Sequence, residues 1–404
     1  MRTALLLSLL PIGFLLGCAV DQGSLRIESP YREPTTLAKG DILHLKTGRL
    51  LSQTELLDYL AQFPVVYVGE SHDSLDDHGV ELAVLEGLAQ RFPGKLALGL
   101  EMLRRPSQVK VDDYIQGRSD EKEFLRVWQE NWGNTFPYYR DILRFARDNK
   151  LPLLALNAGN DLKSAVREKG LEGLPPEMAE QLPAMDFDDP YHRAFIEGMM
   201  GGHAKGSKDP SVFYRIQVLW DETMAQTAAD FLQSPEGQGR RLVVFAGGNH
   251  VRYGFGIPRR VFRRAPVPYV IVEPYVNTAL VAVPAEKTMD VEIPALPMPS
   301  ADVYWSVDYR DLEDQRVMLG VQIEEADKKG VRVVGVLPGS PGEKAGLRSG
   351  DVIVSVDRTG IKEVFDLTYQ VSLHKPGDVG PLEVLRGGEP VPLQVTYDVV
   401  KHGE

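Results

Sequence analysis

Along this chain, short runs of β-branched and aromatic residues alternate with longer stretches in which apolar residues return every three or four positions. Val65-Val66-Tyr67-Val68 is a strand-like run that ends in Gly69-Glu70-Ser71-His72, and Val80, Ala83, Val84 and Leu88 behind it have helical period. Ser74 and Asp77 stand where an N-cap pair would open that helix. The alternation continues: residues 96–101, 151–157, 241–246 and 269–273 read as further strands, and 278–283 as an edge strand. Helices are expected over residues 50–62, 76–92, 106–114, 121–131 and 138–149, and a broad helical section over 161–232. This order predicts an α/β fold, a mostly parallel sheet flanked by helices, with a helical lobe inserted between the third and fourth strands.

The pattern changes after residue 283, where Pro294, Pro297 and Pro299 mark a Pro-rich linker over 284–315. Beyond it lie Met318-Leu319-Gly320-Val321, Val331-Arg332-Val333-Val334-Gly335-Val336, Pro338-Gly339-Ser340-Pro341-Gly342, Lys344-Ala345-Gly346-Leu347 and Gly350-Asp351-Val352-Ile353. Residues 316–400 therefore resemble a small β-rich PDZ domain of the kind attached to bacterial periplasmic proteases. The resemblance implies binding of protein or peptide C-termini, with Leu319, Gly320 and Val321 forming the loop that holds the terminal carboxylate.

The other end of the chain carries an address. Arg2 precedes an apolar run over residues 4–16, too short to span a bilayer and the right length for a signal-peptide core. It closes in Leu15-Leu16-Gly17-Cys18, which resembles a bacterial lipobox. Residues 1–18 read as a lipoprotein signal peptide, Cys18 as the lipidation site, and 19–40 as a tether ahead of an α/β domain over 41–283. The expectation is an exported protein, lipid-anchored to the membrane, with Ala19 pointing to the bacterial outer membrane facing the periplasm. Cys18 is the sole cysteine of the 404 residues, so nothing is left for a disulfide or a thiolate metal site. The net charge of −12 argues against a nucleic-acid partner, which demands clustered positive charge.

Candidate chemistry gathers at the strand ends. They carry Glu70 and His72, Glu101, Asn157, Asn249 and His250, and Glu273. In open α/β sheets ligands bind beyond the carboxyl ends of the strands, so these side chains are expected to face one crevice. Imidazole with carboxylate suits a metal, with His72, Glu101 and His250 as ligands, or acid–base chemistry by the same three residues. His44, His78, His192, His374 and His402 are expected to be structural. Arg259, Arg260, Arg263 and Arg264 read as a solvated helix face that could alternatively hold carboxylates.

Taken together, Gly69-Glu70-Ser71-His72-Asp73, Leu100-Glu101-Met102, Leu156-Asn157, Trp220-Asp221-Glu222-Thr223-Met224-Ala225 and Gly248-Asn249-His250-Val251 resemble the ChaN-like haem-binding family, in a superfamily with Tiki proteases and erythromycin esterases. The resemblance implies a haem-binding lipoprotein serving iron or haem uptake or storage, a tyrosine on the haem iron, a histidine near a propionate, and a homodimer enclosing paired haems. Glu70, His72, Glu101, Asn157, His250, His203, Tyr139 and Tyr214 are the candidate cofactor-binding residues, with Tyr138 and Tyr191 as further tyrosines in the helical part. Whether the chain is an enzyme stays open. Haem binding is the favoured reading; the alternative is a metal-dependent or histidine-based hydrolase, esterase- or peptidase-like, with a divalent metal at the same strand-end site.

Overall fold

The computed structural model describes residues 34–201, 210–280, 296, 298–312, 317–326 and 329–400. The signal segment, Cys18, His203 and the last four residues lie outside the described residues. No helix among the described residues is long and apolar enough to cross a membrane.

The N-terminal part is an eight-stranded sheet with the order β2-β1-β8-β7-β3-β6-β4-β5. Its strands are β1 (Ile42–His44), β2 (Arg49–Leu51), β3 (Val65–Glu70), β4 (Leu96–Arg104), β5 (Leu153–Asn157), β6 (Arg241–Gly247), β7 (Tyr269–Val276) and β8 (Val303–Val307). The strands from β3 to β8 pair in parallel, and β1 runs antiparallel to both β2 and β8. Every residue of β3 is buried, which is why its sequence is a continuous apolar run rather than an alternation. One face is covered by α1 (Gln53–Leu60), α2 (Leu75–Arg91), α3 (Gln108–Ile115), α4 (Glu121–Trp132) and α5 (Phe136–Asp148), which pack Leu88, Tyr114, Trp128 and Leu143 into the larger core. The inserted lobe comprises α6 (Asn160–Lys169), α7 (Pro176–Ala179), α8 (Pro190–Gly201) and α9 (Pro210–Gln233). It is followed, after β6, by the short α10 (Gly248–Val251) and by α11 (Ile257–Arg264).

Two expectations differ from what is found. Residues 278–280 form a turn rather than an edge strand, and 281–283 lie outside the described residues. The strand beside β7 is instead β8, which lies within the stretch read as linker: Val303 pairs with Val272 on one side and with His44 on the other. A five-residue strand among prolines has too little periodicity to announce itself; the exposed edge of β7 supplies the partner that orders it.

The C-terminal part holds β9 (Val317–Met318), β10 (Val321–Glu325), β11 (Val331–Val336), α12 (Pro341–Lys344), β12 (Val352–Val356), β13 (Thr359–Gly360), α13 (Val364–Val371), β14 (Val379–Arg386), β15 (Glu389–Thr396) and β16 (Asp398–Val399). In its main sheet, ordered β10-β11-β12-β14-β15, β10 is an edge strand. Gly320, just ahead of β10, has φ +68°, and a Cβ there would sit 2.3 Å from the Ser340 Cβ, so the turn admits glycine alone.

Candidate functional site

The register of the central strands creates the site. Glu70 at the end of β3 lies opposite Gly247 of β6, and Leu100 of β4 lies opposite Phe245, so Glu101 follows one position later, level with Ala246, and its side chain reaches Gly247. The Gly247 N–H donates to Glu101 Oε2 at 2.7 Å. A Cβ on Gly247 would come within 2.9 Å of His72 Nε2, so the absence of a side chain here lets the imidazole lie against the strand end. His72 is held on the turn after β3 by the start of α2: Ser74 and Asp77 form the expected cap, and Asp77 Oδ2 also accepts from the Ser71 N–H at 2.8 Å.

Three of the expected residues close on one another from different elements. His250 Nε2 lies 3.2 Å from Glu101 Oε1, and His250 Nδ1 lies 2.5 Å from Asp221 Oδ1 on α9. His72 Nδ1 lies 2.8 Å from Glu70 Oε1, while the Tyr139 hydroxyl on α5 donates to the same carboxylate, 2.9 Å from Oε1. Burial works against charging either histidine, yet it is outweighed. Glu101 and Asp221 raise His250 to about 10, and Glu70, with help from Glu101, raises His72 to about 9. Burial likewise disfavours the Glu101 carboxylate, but the charge and hydrogen bond of His250 hold it down at about 2. Asp221 is depressed further, its burial overcome by His250 and His192. At neutral pH the cluster is therefore two imidazoliums interleaved with carboxylates. His250 is enclosed, whereas the His72 side chain keeps 39% of its surface exposed.

The remaining expected residues divide. Asn157 is brought to the same strand end but spends its side chain on backbone, donating to Glu101 O and accepting from the Ala158 N–H. Glu273 on β7 pairs with Arg252 and Ser300 instead of joining the histidines. Tyr139 and Tyr214, expected as cofactor contacts, are 0% and 1% exposed, with their hydroxyls facing Glu70 and His192. The Tyr138 hydroxyl donates to Asp311. The arginine run is not a solvated face: Arg260, Arg263 and Arg264 converge on the buried Glu222 carboxylate, and Arg259 pairs with Asp189.

Sequence reasoning missed Asp221 and His192 as members of the site. Their side chains extend the chain Glu101–His250–Asp221 to His192 Nε2 at 3.2 Å, reaching α8. The signal was a pair of acids, Asp221 and Glu222, in the otherwise apolar middle of a long helix, where buried charge demands partners. Next to His192, Tyr191 is 57% exposed, its ring stacked at 23° on Phe255. Tyr253 stacks on Phe255 as well, at 24°, and the Arg259 guanidinium lies 5.1 Å from the Phe255 ring centre.

A family model described as haem-binding uptake, Tiki superfamily, ChaN matches residues 56–261, half of the chain. The chain belongs to this ChaN family. A second model, the PDZ domain, matches residues 317–396, so the ChaN-like part is joined to a PDZ domain. Relatives divide along the same line. Protein RETICULATA-RELATED 5 of Arabidopsis thaliana is 28% identical over 224 residues, covering 50% of this chain and 30% of that protein. The periplasmic pH-dependent serine endoprotease DegQ of Escherichia coli is 35% identical over 71 residues, 18% of this chain and 16% of that protein. The chain thus spans less than a third of either relative's length. Among solved structures, ChaN of Campylobacter jejuni, described with cofacial haem binding, is 16% identical, with 65% of this chain and 95% of that one covered at a TM-score of 0.48.

The family implies haem, so the residues must fit it. Haem requires an accessible axial donor, an apolar or aromatic surface for the macrocycle and cations for the propionates. Of the four tyrosines considered, Tyr191 is the exposed one, and it stands on the Phe255–Tyr253 stack beside Arg259. Tyr191 supplies the accessible donor, the Tyr191 and Tyr253 rings packed on the buried Phe255 supply the aromatic contact, and the part-exposed Arg259 supplies the cation, so these residues fit the group.

Proposed function

We propose that this ChaN-family protein is an exported lipoprotein that binds haem in iron or haem uptake or storage and receives peptide C-termini on its PDZ domain. The observation that carries the haem reading is the exposed Tyr191 on stacked aromatic rings, tied through neighbouring His192 to the Asp221–His250–Glu101 chain. Haem would bring an iron that takes a phenolate and two propionates that take cations. Tyr191 is the proposed axial ligand, and the part-exposed His72 imidazolium and Arg259 are the proposed propionate partners. A dimer enclosing paired haems, and anchoring through Cys18 at the outer membrane, belong to the same proposal. The resemblance of the PDZ part to periplasmic proteases supports export.

The electrostatics favour binding over hydrolysis. A general base must accept a proton, and both ring nitrogens of His250 already face carboxylates while its raised pKa keeps it charged. His72 is held charged in the same way. The part-exposed His72 ring can offer its charge to an anionic ligand. For the PDZ domain, the free edge of β10 beside α13 supports addition of a peptide strand, with the Leu319-Gly320-Val321 turn receiving its carboxylate.

Haemin titration of the purified protein tests the reading. A saturable, shifted Soret band is expected, weakened at least tenfold in affinity by Tyr191→Phe. Absence of a saturable band refutes haem binding, and an unaltered titration in Tyr191→Phe refutes the ligand assignment.

A further inference from the structure

Behind His72 lies a second cluster that the haem reading does not use. His78 and Glu81 stand three residues apart on one face of α2, against Glu70 at the end of β3. One ligand atom from each of the three lies within 4.8 Å of the others, and the residues are 6%, 4% and 0% exposed in the order Glu70, His78, Glu81. The geometry points to a divalent transition-metal site formed by Glu70, His78 and Glu81.

His78 Nε2 faces the His72 carbonyl oxygen at 3.3 Å, where it serves as the N–H donor. In the neutral tautomer this leaves a lone pair on Nδ1, which lies 2.7 Å from Glu81 Oε2 and 3.1 Å from Glu70 Oε2. Three electron-rich atoms then face one point. Protonating Nδ1 supplies one N–H for two carboxylate oxygens and still leaves Glu81 Oε1, which is buried without a hydrogen-bond partner. No lysine or arginine pairs with Glu70 or Glu81 among the described residues. A cation between the three side chains answers all of these atoms together.

The chemistry of the set selects the ion. Two carboxylates and one imidazole, with no thiolate, suit manganese, iron or zinc in the divalent state. The arrangement already has the outer contacts of a metal site: the His72 carbonyl fixes the His78 ring, and the Tyr139 hydroxyl orients Glu70. A metal here would bind Glu70 through Oε2 while Oε1 keeps its bond to His72, making Glu70 a positioning residue for that ring. The inference does not rest on haem, and its readout is separate from the Soret band.

The full chain, stripped with a chelator and dialysed against manganese, cobalt or zinc singly, should retain about one equivalent of at least one ion after desalting. X-ray absorption on zinc-loaded protein should show one imidazole among oxygen donors, where a site using His72 and His250 would show two. Glu81→Gln should weaken retention at least tenfold. Retention of no ion, a two-imidazole spectrum, or equal retention in a folded Glu81→Gln variant overturns the proposal; the spectrum of the wild-type protein decides it even if that variant does not fold.

Discussion

His250 is gripped by an acid on each ring nitrogen, and that arrangement makes the cluster a stability element, whatever it binds. Its folded pKa of about 10 lies above the ordinary 6.5, so its contribution is full below pH 6.5 and is lost as pH rises through about 10. Glu101, lowered from 4.5 to about 2, contributes fully above pH 4.5 and loses its contribution as pH falls through about 2. In metal- and haem-free protein the pair should therefore stabilise most between pH 4.5 and 6.5, and thermal melting across pH should show this dependence reduced in His250→Gln. Asp221→Asn, which leaves buried His250 and His192 with one charge fewer, should cost about 3–5 kcal/mol in urea unfolding. A loss below about 1 kcal/mol would contradict the buried ion chain. At this scale the sequence was readable where polar residues end apolar strands, as at His72, Glu101 and His250. Where they sit within helices it marked at most a buried charge, as at Asp221, and not its partner, because helical spacing assigns a face but not what lies across it.

Between elements, α9 and α11 are joined by Glu222, a fully buried carboxylate 3.1, 2.8 and 2.6 Å from Arg260, Arg263 and Arg264. Read along the chain, four arginines around two apolar residues look like a wet helix surface, since arginine is usually exposed. The acid that reverses this reading lies about forty residues earlier, on another helix. Glu222→Ala strands the guanidinium of Arg260, which is 1% exposed, and should destabilise the protein by about 3–5 kcal/mol in denaturant titration. A cost near that of a surface pair, about 0–1 kcal/mol, would show that the clamp is not load-carrying.

Across the whole molecule, α13 has two roles. Leu367 and Val371 enter the PDZ core, while Phe365 and Tyr369 pack against the core of the α/β part. Lys122 pairs with Asp366 at 2.5 Å, Arg126 pairs with Glu363 and lies over the Phe365 ring, and Arg140, the neighbour of Tyr139, bonds to Ser372. The helix that flanks the PDZ peptide edge is thus bolted to the wall of the strand-end site. Joint replacement of Lys122 and Arg126 by alanine should uncouple the two parts, splitting a single calorimetric transition into two; an unchanged transition would mean that these contacts do not couple them. The α/β class, the appended PDZ domain and the strand-end location of His72, Glu101 and His250 are legible in the order of residues alone. Each follows from local periodicity or from contiguous motifs, which need no knowledge of distant neighbours. That β8 completes the sheet, that Tyr139 and Tyr214 are enclosed while Tyr191 is open, and that Glu70, His78 and Glu81 come together emerges on folding. Those outcomes depend on which surfaces meet, and burial and hydrogen-bond partners exist only once they have met.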